Sequence, residues 1–362
     1  MKNKHKIIFI LILALSILSR LWKLDSYPVS LNWDEISHGY NAYSLLKTGQ
    51  DQWSKPWPIF NFRAYGDYPT TLNMYLSILP IALFGLNPWS TRLVSALCGI
   101  GIVLTSYFLG KQIFKNKNSS LLLMFLVSIS PWTFFPSRAV FQSTVAQFFL
   151  QLGILYLLKS VKKIKYLPVG LFFSAISTYA YHNTRIIAPL LVFTFIIIYF
   201  KNLKSNFLKN KKTIFVSLII ILFLLIPQTV NIFHKEAQAR SRWVFIINPN
   251  SIYQIEEKRN NFQGSPLAAK LIYNRYSLFF STVLKNYLGF VSPKILFFDS
   301  TQNHQFNIPK TGLLYLVTLP FFYLGIIHYI KKSLKGDRLS IFLVSWFILG
   351  LIPAVITTGD FP

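Results

Sequence analysis

The chain has 362 residues, of which 53% are hydrophobic and only 13% are charged. A soluble domain carries roughly 25% charged residues, so lipid must cover much of this chain and an ordinary soluble domain is excluded. The net charge of +26 would suit a nucleic-acid-binding protein. The lysines, however, lie in short clusters between apolar runs, as in the cytoplasmic loops of membrane proteins. The lipid bilayer is therefore an expected partner and nucleic acid is not.

The N-terminus combines a basic start with an apolar run at 7–18. The same pattern occurs in cleaved signal peptides, but no small-x-small cleavage site follows it here. The sequence therefore favours an uncleaved first membrane helix.

Nine apolar runs predict membrane-spanning helices, although several fall short of the roughly 20 residues of a perpendicular span. The predicted spans are 7–22, 92–110, 119–135, 143–158, 166–182, 186–200, 213–232, 310–330 and 339–357. They leave two outer loops, 23–91 and 233–309, of a length that usually carries function. The predicted fold class is an all-α polytopic membrane protein, one domain over 1–362, with interfacial helices in its outer loops.

A further apolar run at 71–87 is interrupted by Pro80 and Gly85. If the N-terminus is cytoplasmic and this run does not cross, the lysine clusters all stay inside, as the positive-inside rule requires. These clusters lie at 111–117, 159–165, 201–212 and 331–338. A crossing at 71–87 would move every one of them outside. The sequence therefore predicts an interfacial or re-entrant segment here.

Acidic residues are scarce, and five of the eleven lie in the first outer loop. They are Asp25, Asp34, Glu35, Asp51 and Asp67. An enzyme in a membrane must place its acid–base groups where water and a polar substrate can reach them. This loop is therefore the predicted catalytic region.

Residues 32–40 open a predicted helix that ends at Gly49. Asp34 lies in its first turn, and His38 follows one turn later on the same face. Asp34 and Glu35 are candidate catalytic residues, and His38 is a candidate substrate contact. The alternative is that the two acids only complement the positive end of the helix.

Asp51 and Asp67 are further candidate substrate contacts. Both lie close to glycine in turn-like segments, so turn chemistry alone also explains them.

Arginines predicted on the outer face of the membrane require an explanation, because positive charge is depleted on that face. Snorkelling at helix ends is one explanation, and holding a lipid phosphate with a forked guanidinium is the other. The candidates are Arg138, Arg185, Arg240 and Arg242.

No metal site is predicted. Cys98 is the single cysteine, and the six histidines show no close ligand spacing.

The segment 33–49 resembles the acidic motif of the bacterial glycosyltransferase family 39 proteins. These belong to the membrane-embedded GT-C class and are related to protein O-mannosyltransferases and lipid A aminoarabinose transferases. Similar stretches continue along nearly the whole chain, at 64–71, 84–85, 92–99, 130–138, 179–189, 286–298, 304 and 312–315.

The resemblance implies an enzyme that moves a sugar from a polyprenyl-phosphate donor to a hydroxyl of a protein, lipid or glycan acceptor. It places the reaction on the outer face of the cytoplasmic (inner) membrane, with a divalent cation as the one cofactor left open. Asp34 matches the family's catalytic base, Glu35 would orient that base or the acceptor, and Arg138 or Arg185 could stabilise the leaving phosphate. Matching motif positions add three candidate substrate contacts: Arg92, His182 and His304.

The chain departs from the family at Gln52-Trp-Ser54, where many relatives have an acidic residue and glycine. It also ends at Pro362, where relatives continue with further helices, so a C-terminally truncated chain is expected. The rival functions are a transporter or flippase of lipid-linked sugars and a non-catalytic lipid-binding subunit. A transporter would place charges on broken helices at the bilayer midplane, whereas the acids here lie in a loop.

Overall fold

The computed structural model describes residues 2–207, 210–231, 233, 234, 236, 238, 242, 244–299 and 310–357. Within these residues the secondary structure is helical, and strand pairing is limited to isolated bridges. Two candidate residues, Arg240 and His304, lie outside the described residues.

The helices of the first part are α1 Lys2–Leu21, α2 Trp33–Thr48, α3 Leu72–Phe84, α4 Pro88–Ile113, α5 Lys117–Ile129, α6 Pro131–Phe134, α7 Gln142–Ser160 and α8 Leu167–Ser177. The later helices are α9 Thr184–Phe207, α10 Lys211–Ile220, α11 Ile226–Asn231, α12 Pro249–Asn260, α13 Pro266–Ile272, α14 Arg275–Phe290, α15 Leu319–Leu334 and α16 Arg338–Val355. A π-helical segment, Ile221–Leu225, joins α10 to α11.

Four helical stretches of the described chain are long and apolar enough to cross a membrane: Pro88–Ile113, Thr184–Lys204, Lys211–Asn231 and Arg338–Val355. A fifth would be α5 together with Pro131–Arg138, which are bent by 64° relative to each other. The division into nine spans remains a prediction.

Three predicted runs differ from the helices that form. The run 166–182 forms α8, which already ends at Ser177. The run 119–135 is broken after Ile129, because the residue before Pro131 is disfavoured in the α conformation. The run 310–330 becomes α-helical only from Leu319.

Helix α3 occupies the doubtful run at 71–87. Its 13 residues give a length of about 20 Å, whereas a bilayer core is roughly 30 Å thick. This length agrees with a segment that does not cross, although its depth in the bilayer remains a prediction.

The largest apolar core lies between α7, α8, α9 and α16. Two glycines bring α7 and α8 together: a Cβ on Gly153 would lie 2.3 Å from Ser174 Oγ, and one on Gly170 would lie 2.8 Å from the Leu157 nitrogen. Small residues at such contacts are typical of helices that pack in membranes. A separate apolar cluster joins α2, α3 and the segment between them.

Candidate active site

Helix α2 carries the candidate acids and begins with a capping box. The Asn32 side chain accepts a hydrogen bond from the Glu35 nitrogen at 2.9 Å, and the Glu35 carboxylate accepts one from the Asn32 nitrogen at 3.0 Å. The helix ends at Gly49, which has a left-handed φ of 70°. Both predicted ends of this helix are confirmed.

Glu35 is buried and forms an ion pair with Arg92 of α4. Arg92 Nε donates to Glu35 Oε1 at 2.8 Å, and Arg92 Nη2 donates to Oε2 at 3.2 Å. The Val140 nitrogen, just before α7, adds a hydrogen bond to Oε1 at 3.2 Å. Each side chain of the pair is only 1% exposed. The Glu35 carboxylate therefore links α2 to α4 and to the start of α7, out of reach of solvent.

The other N–H groups of Arg92 hydrogen-bond to the chain between α1 and α2. Its guanidinium donates to the carbonyls of Leu24 at 3.0 Å, Pro28 at 2.8 Å and Ser30 at 3.0 Å. A longer contact of 3.4 Å reaches the Asp25 carbonyl. All five N–H groups of Arg92 are thus engaged by the protein, which favours a positioning role over the substrate contact predicted for it.

Arg138 follows α6 and also hydrogen-bonds to the end of α1 and the chain between α1 and α2. It donates to the carbonyls of Ser19 at 2.6 Å and Tyr27 at 3.0 Å, and to three others between them. The last carbonyls of a helix lack partners within the helix, so Arg138 caps the end of α1. Together, Arg92 and Arg138 gather the backbone of residues 19–30 and thereby set the starting point of α2.

Asp34 differs from its neighbour in exposure. It lies in the first turn of α2 and is partly exposed, whereas Glu35 is buried. The positive end of a helix favours an ionised carboxylate at this place. Of the two adjacent acids, Asp34 is therefore the one that a substrate can approach.

His38 lies beneath Asp34 and is 2% exposed. Its Nδ1 lies 2.8 Å from the Asp34 carbonyl, which can only accept, so Nδ1 carries the proton. Its ring packs edge-on against Phe62, with centroids 5.1 Å apart. Burial lowers the pKa of His38 to about 4, against the smaller opposing effect of the Asp34 hydrogen bond. A neutral, enclosed imidazole supports α2 and does not line an open site.

Asp51 and Asp67 both stabilise turns. Asp51 is buried, and its Oδ1 accepts from the nitrogens of Trp53 at 2.8 Å and Lys55 at 2.9 Å. Asp67 Oδ1 accepts from the Tyr68 nitrogen at 2.8 Å. These contacts favour the turn interpretation, most strongly for Asp51.

Arg185 and His182 lie together at the start of α9. Arg185 Nη2 donates to Asn61 Oδ1 at 2.7 Å and to the Phe60 carbonyl at 3.2 Å, and Nη1 lies 3.2 Å from His182 Nδ1. Arg185 Nε is buried without a hydrogen-bond partner among the described residues. The start of α9 is thus joined to the first outer loop. Arg242, by contrast, is exposed in the second.

Arg20 is a buried cation that sequence reasoning did not select. It lies in the last turn of α1, and its Nη1 donates to Ser16 Oγ at 3.1 Å and to the Ser128 carbonyl at 3.2 Å. Gly99 of α4 lies beside it, and a Cβ there would lie 2.3 Å from Ser137 Cβ and 3.1 Å from Arg20 Nε. In the sequence, the only indication of this buried cation is a single arginine at the end of an apolar run.

Within the described part of the chain, no three His, Cys, Asp or Glu side chains come together as metal ligands. These residues offer no ready-made cation site.

Residues 10–241 match the model of the family described as dolichyl-phosphate-mannose-protein mannosyltransferase. The chain belongs to this family. The match runs from α1 to beyond α11 and includes Asp34, Glu35 and Arg92, and it confirms the resemblance to GT-C glycosyltransferases. A comparison with curated protein sequences gave no significant match.

Solved structures confirm the GT-C membrane fold of this family member. The archaeal oligosaccharyltransferase AglB of Archaeoglobus fulgidus, in complex with an inhibitory peptide and a dolichol-phosphate, aligns with a TM-score of 0.59 at 16% identity, covering 98% of this chain and 48% of that one. Its apo form gives 0.58 at 17% identity with the same coverage. ArnT of Cupriavidus metallidurans bound to undecaprenyl phosphate aligns with a TM-score of 0.49 at 12% identity, covering 75% of this chain and 55% of ArnT. The chain thus spans about half the length of these structures.

Proposed function

We propose that the protein transfers a sugar from a polyprenyl-phosphate donor to an acceptor hydroxyl, with Asp34 as the general base. The observation that carries this proposal is the unequal environment of two adjacent carboxylates. Glu35 is enclosed and paired with Arg92, whereas Asp34 is partly exposed at the start of the same helix. A base has to meet its substrate, and a positioning residue does not.

The donor class is supported by the family and by the fold. The family is described by its dolichyl-phosphate-mannose donor, and the archaeal oligosaccharyltransferase of similar fold holds a dolichol-phosphate. A polyprenyl phosphate is common to both, and the family name adds the sugar.

In the proposed reaction, Asp34 takes the proton of the acceptor hydroxyl while the hydroxyl oxygen bonds to the anomeric carbon. The bond from that carbon to the phosphate oxygen breaks, and the polyprenyl phosphate leaves with the electron pair. Arg185 is a better candidate than Arg138 to stabilise this growing negative charge. Its Nε has no partner among the described residues, whereas Arg138 donates five times to backbone carbonyls.

The lysine clusters support the membrane orientation in this proposal. By the positive-inside rule they favour a cytoplasmic N-terminus, with Asp34 on the outer face of the cytoplasmic (inner) membrane. The polar parts of donor and acceptor would meet there, at the edge of the bilayer.

The test is Asp34→Asn, with Asp25→Asn as the matched control because Asp25 is an exposed acid of the same loop. In membranes supplied with a radiolabelled polyprenyl-phosphate sugar, Asp34→Asn should lower transfer at least about 100-fold, the usual minimum for a general base. Asp25→Asn should retain transfer at equal expression. Full activity of Asp34→Asn would remove Asp34 from the mechanism.

A transporter of lipid-linked sugars is the alternative. Reconstituted protein that moved the labelled lipid across vesicles without cleaving the sugar–phosphate bond would replace the transferase proposal.

A further inference from the structure

A polar turn after α2, residues 51–57, presents two tryptophan rings. Trp53 is 54% exposed and Trp57 is 56% exposed. The Trp53 indole N–H donates to the Arg63 carbonyl at 3.0 Å. The Arg63 guanidinium lies over the same ring, 4.4 Å from its centroid. The Trp53 ring is therefore held in one orientation with one face covered.

Trp57 is held by different contacts. Its ring is stacked with that of Tyr75, with centroids 6.3 Å apart and planes 10° from parallel. The Tyr75 hydroxyl donates to the Pro58 carbonyl at 3.0 Å, which fixes the Tyr75 ring beside Trp57. Both tryptophans thus offer surface whose orientation is already determined, and a binding partner would lose little conformational entropy in using it.

The backbone of this turn is strained. Trp57 has a φ of +40° and Ser54 a φ of +61°, and a bulky side chain rarely adopts a positive φ. Such strain persists where the surroundings impose it, and it clusters at ligand-binding sites. Here the Asp51 carboxylate imposes the turn through its two hydrogen bonds.

The turn is attached to the helix that carries the proposed base. The Gln52 nitrogen donates to Asn41 Oδ1 at 2.9 Å. Asn41 lies seven residues after Asp34, so the two share one face of α2 and are about 10 Å apart along it. A chain of sugar rings could span the distance from Asp34 to the turn.

One cation covers a ring and a second lies between the two tryptophans in sequence, and both argue against simple burial in lipid. Lys55 stands between the two tryptophans in sequence and pairs with Glu236 of the second outer loop at 3.4 Å, while Arg63 covers Trp53. Interfacial tryptophans normally turn their N–H towards water or headgroups. The Trp53 N–H instead donates to a backbone carbonyl of the same loop, that of Arg63. The hydroxyls of a sugar lying on these rings would have the Arg63 guanidinium nearby as a donor.

We propose that Trp53 and Trp57 form an acceptor subsite that stacks a sugar ring, so that the acceptor is a glycan. The apolar C–H face of a pyranose packs on an indole ring, while its hydroxyls hydrogen-bond at the rim. This inference rests on the proposed function, because the hydroxyl that Asp34 activates would belong to the glycan held here.

The first test observes the rings directly. The full chain is labelled with 5-fluorotryptophan, placed in lipid nanodiscs and titrated with oligosaccharides released from the envelope of the cells that express it. The fluorine signals of Trp53 and Trp57 should shift, while that of Trp132, which is 43% exposed on α6, should not. In a parallel sample with lipids spin-labelled deep in their acyl chains, the two signals should stay sharp. Broadening by the lipid label, or no shift with the oligosaccharides, would overturn the proposal.

The second test is kinetic. Trp53→Ala should raise the acceptor KM for these oligosaccharides roughly tenfold with a smaller effect on kcat, as expected for one lost stacking contact, and Trp132→Ala should change neither. If Asp34→Asn abolishes transfer but Trp53→Ala behaves as wild type, the subsite is wrong and the proposed function stands. If Asp34→Asn is fully active, Asp34 is not the base, and the fluorine shifts still decide whether a glycan binds.

Discussion

The two outer loops are held in place by different kinds of contact. In the first loop, buried guanidinium groups bind a carboxylate and a row of backbone carbonyls, centred on Arg92 and Arg138. In the second, the described contacts to the last helix are neutral. Asn286 donates to the carbonyls of Val355 at 2.9 Å and Thr357 at 3.1 Å, and the Tyr287 hydroxyl donates to that of Ile348 at 3.2 Å.

The exposed surfaces of the two loops differ as well. Helix α14 carries an apolar stripe at every fourth residue: Tyr276, Phe280, Leu284 and Leu288, each between 61% and 78% exposed. A stripe of this kind suits a helix that lies along a membrane surface. The difference teaches that the loop with the proposed base is fixed by desolvated charge, whereas the second loop is joined to α16 by neutral hydrogen bonds and leaves apolar surface exposed.

Among the predicted changes, removing the buried Glu35 carboxylate should destabilise the first outer loop most. Glu35→Ala leaves Arg92 charged and unpaired in the interior, and losing one partner of such a pair costs about 3–5 kcal/mol. The free energy of unfolding, measured in detergent, should fall by this amount. Glu236→Ala is the control, because its pair with Lys55 is about half exposed and such pairs contribute roughly 0–1 kcal/mol. Equal losses in the two variants would contradict the distinction between the loops.

A pH titration should show a second, smaller contribution to the stability of the first outer loop, that of the buried His38. The pKa of His38 falls from an ordinary 6.5 to about 4 on folding, so protons bind the unfolded chain more readily than the folded one. The stability that His38 contributes is complete above pH 6.5 and is lost as the pH falls towards 4, amounting to a few kcal/mol.

The matched variant is His38→Asn, whose amide can still donate to the Asp34 carbonyl. It should flatten the dependence of unfolding free energy on pH between 6.5 and 4. A slope equal to that of the wild type would show that another group is responsible.

Local features of the site could be predicted from the sequence. The ends of α2 were readable because Asn32 and Gly49 act on their own neighbours. The acidic pair stood out because acids are scarce. The burial of Glu35 could not be predicted, because it depends on Arg92, 57 residues away in the chain.

The roles of the outer arginines were harder to read for a related reason. Their position on the outer side pointed to an anionic ligand, yet Arg138 binds backbone carbonyls. A carbonyl occurs at every residue and leaves no signature in the sequence. Only the path of the chain between α1 and α2 reveals that these carbonyls converge.

The smallest expected effect concerns the second loop alone. Asn286→Ala removes two neutral hydrogen bonds to the end of α16, at a cost of about 1–2 kcal/mol. The nearby amide of Ile246, which donates to the Ile356 carbonyl at 3.1 Å, should then exchange with solvent roughly tenfold faster. The amide of Trp53, bound to Asp51 in the first loop, should exchange as in the wild type. Faster exchange at both amides would mean that the two loops open as one unit, and that the base-bearing loop is not independently fixed.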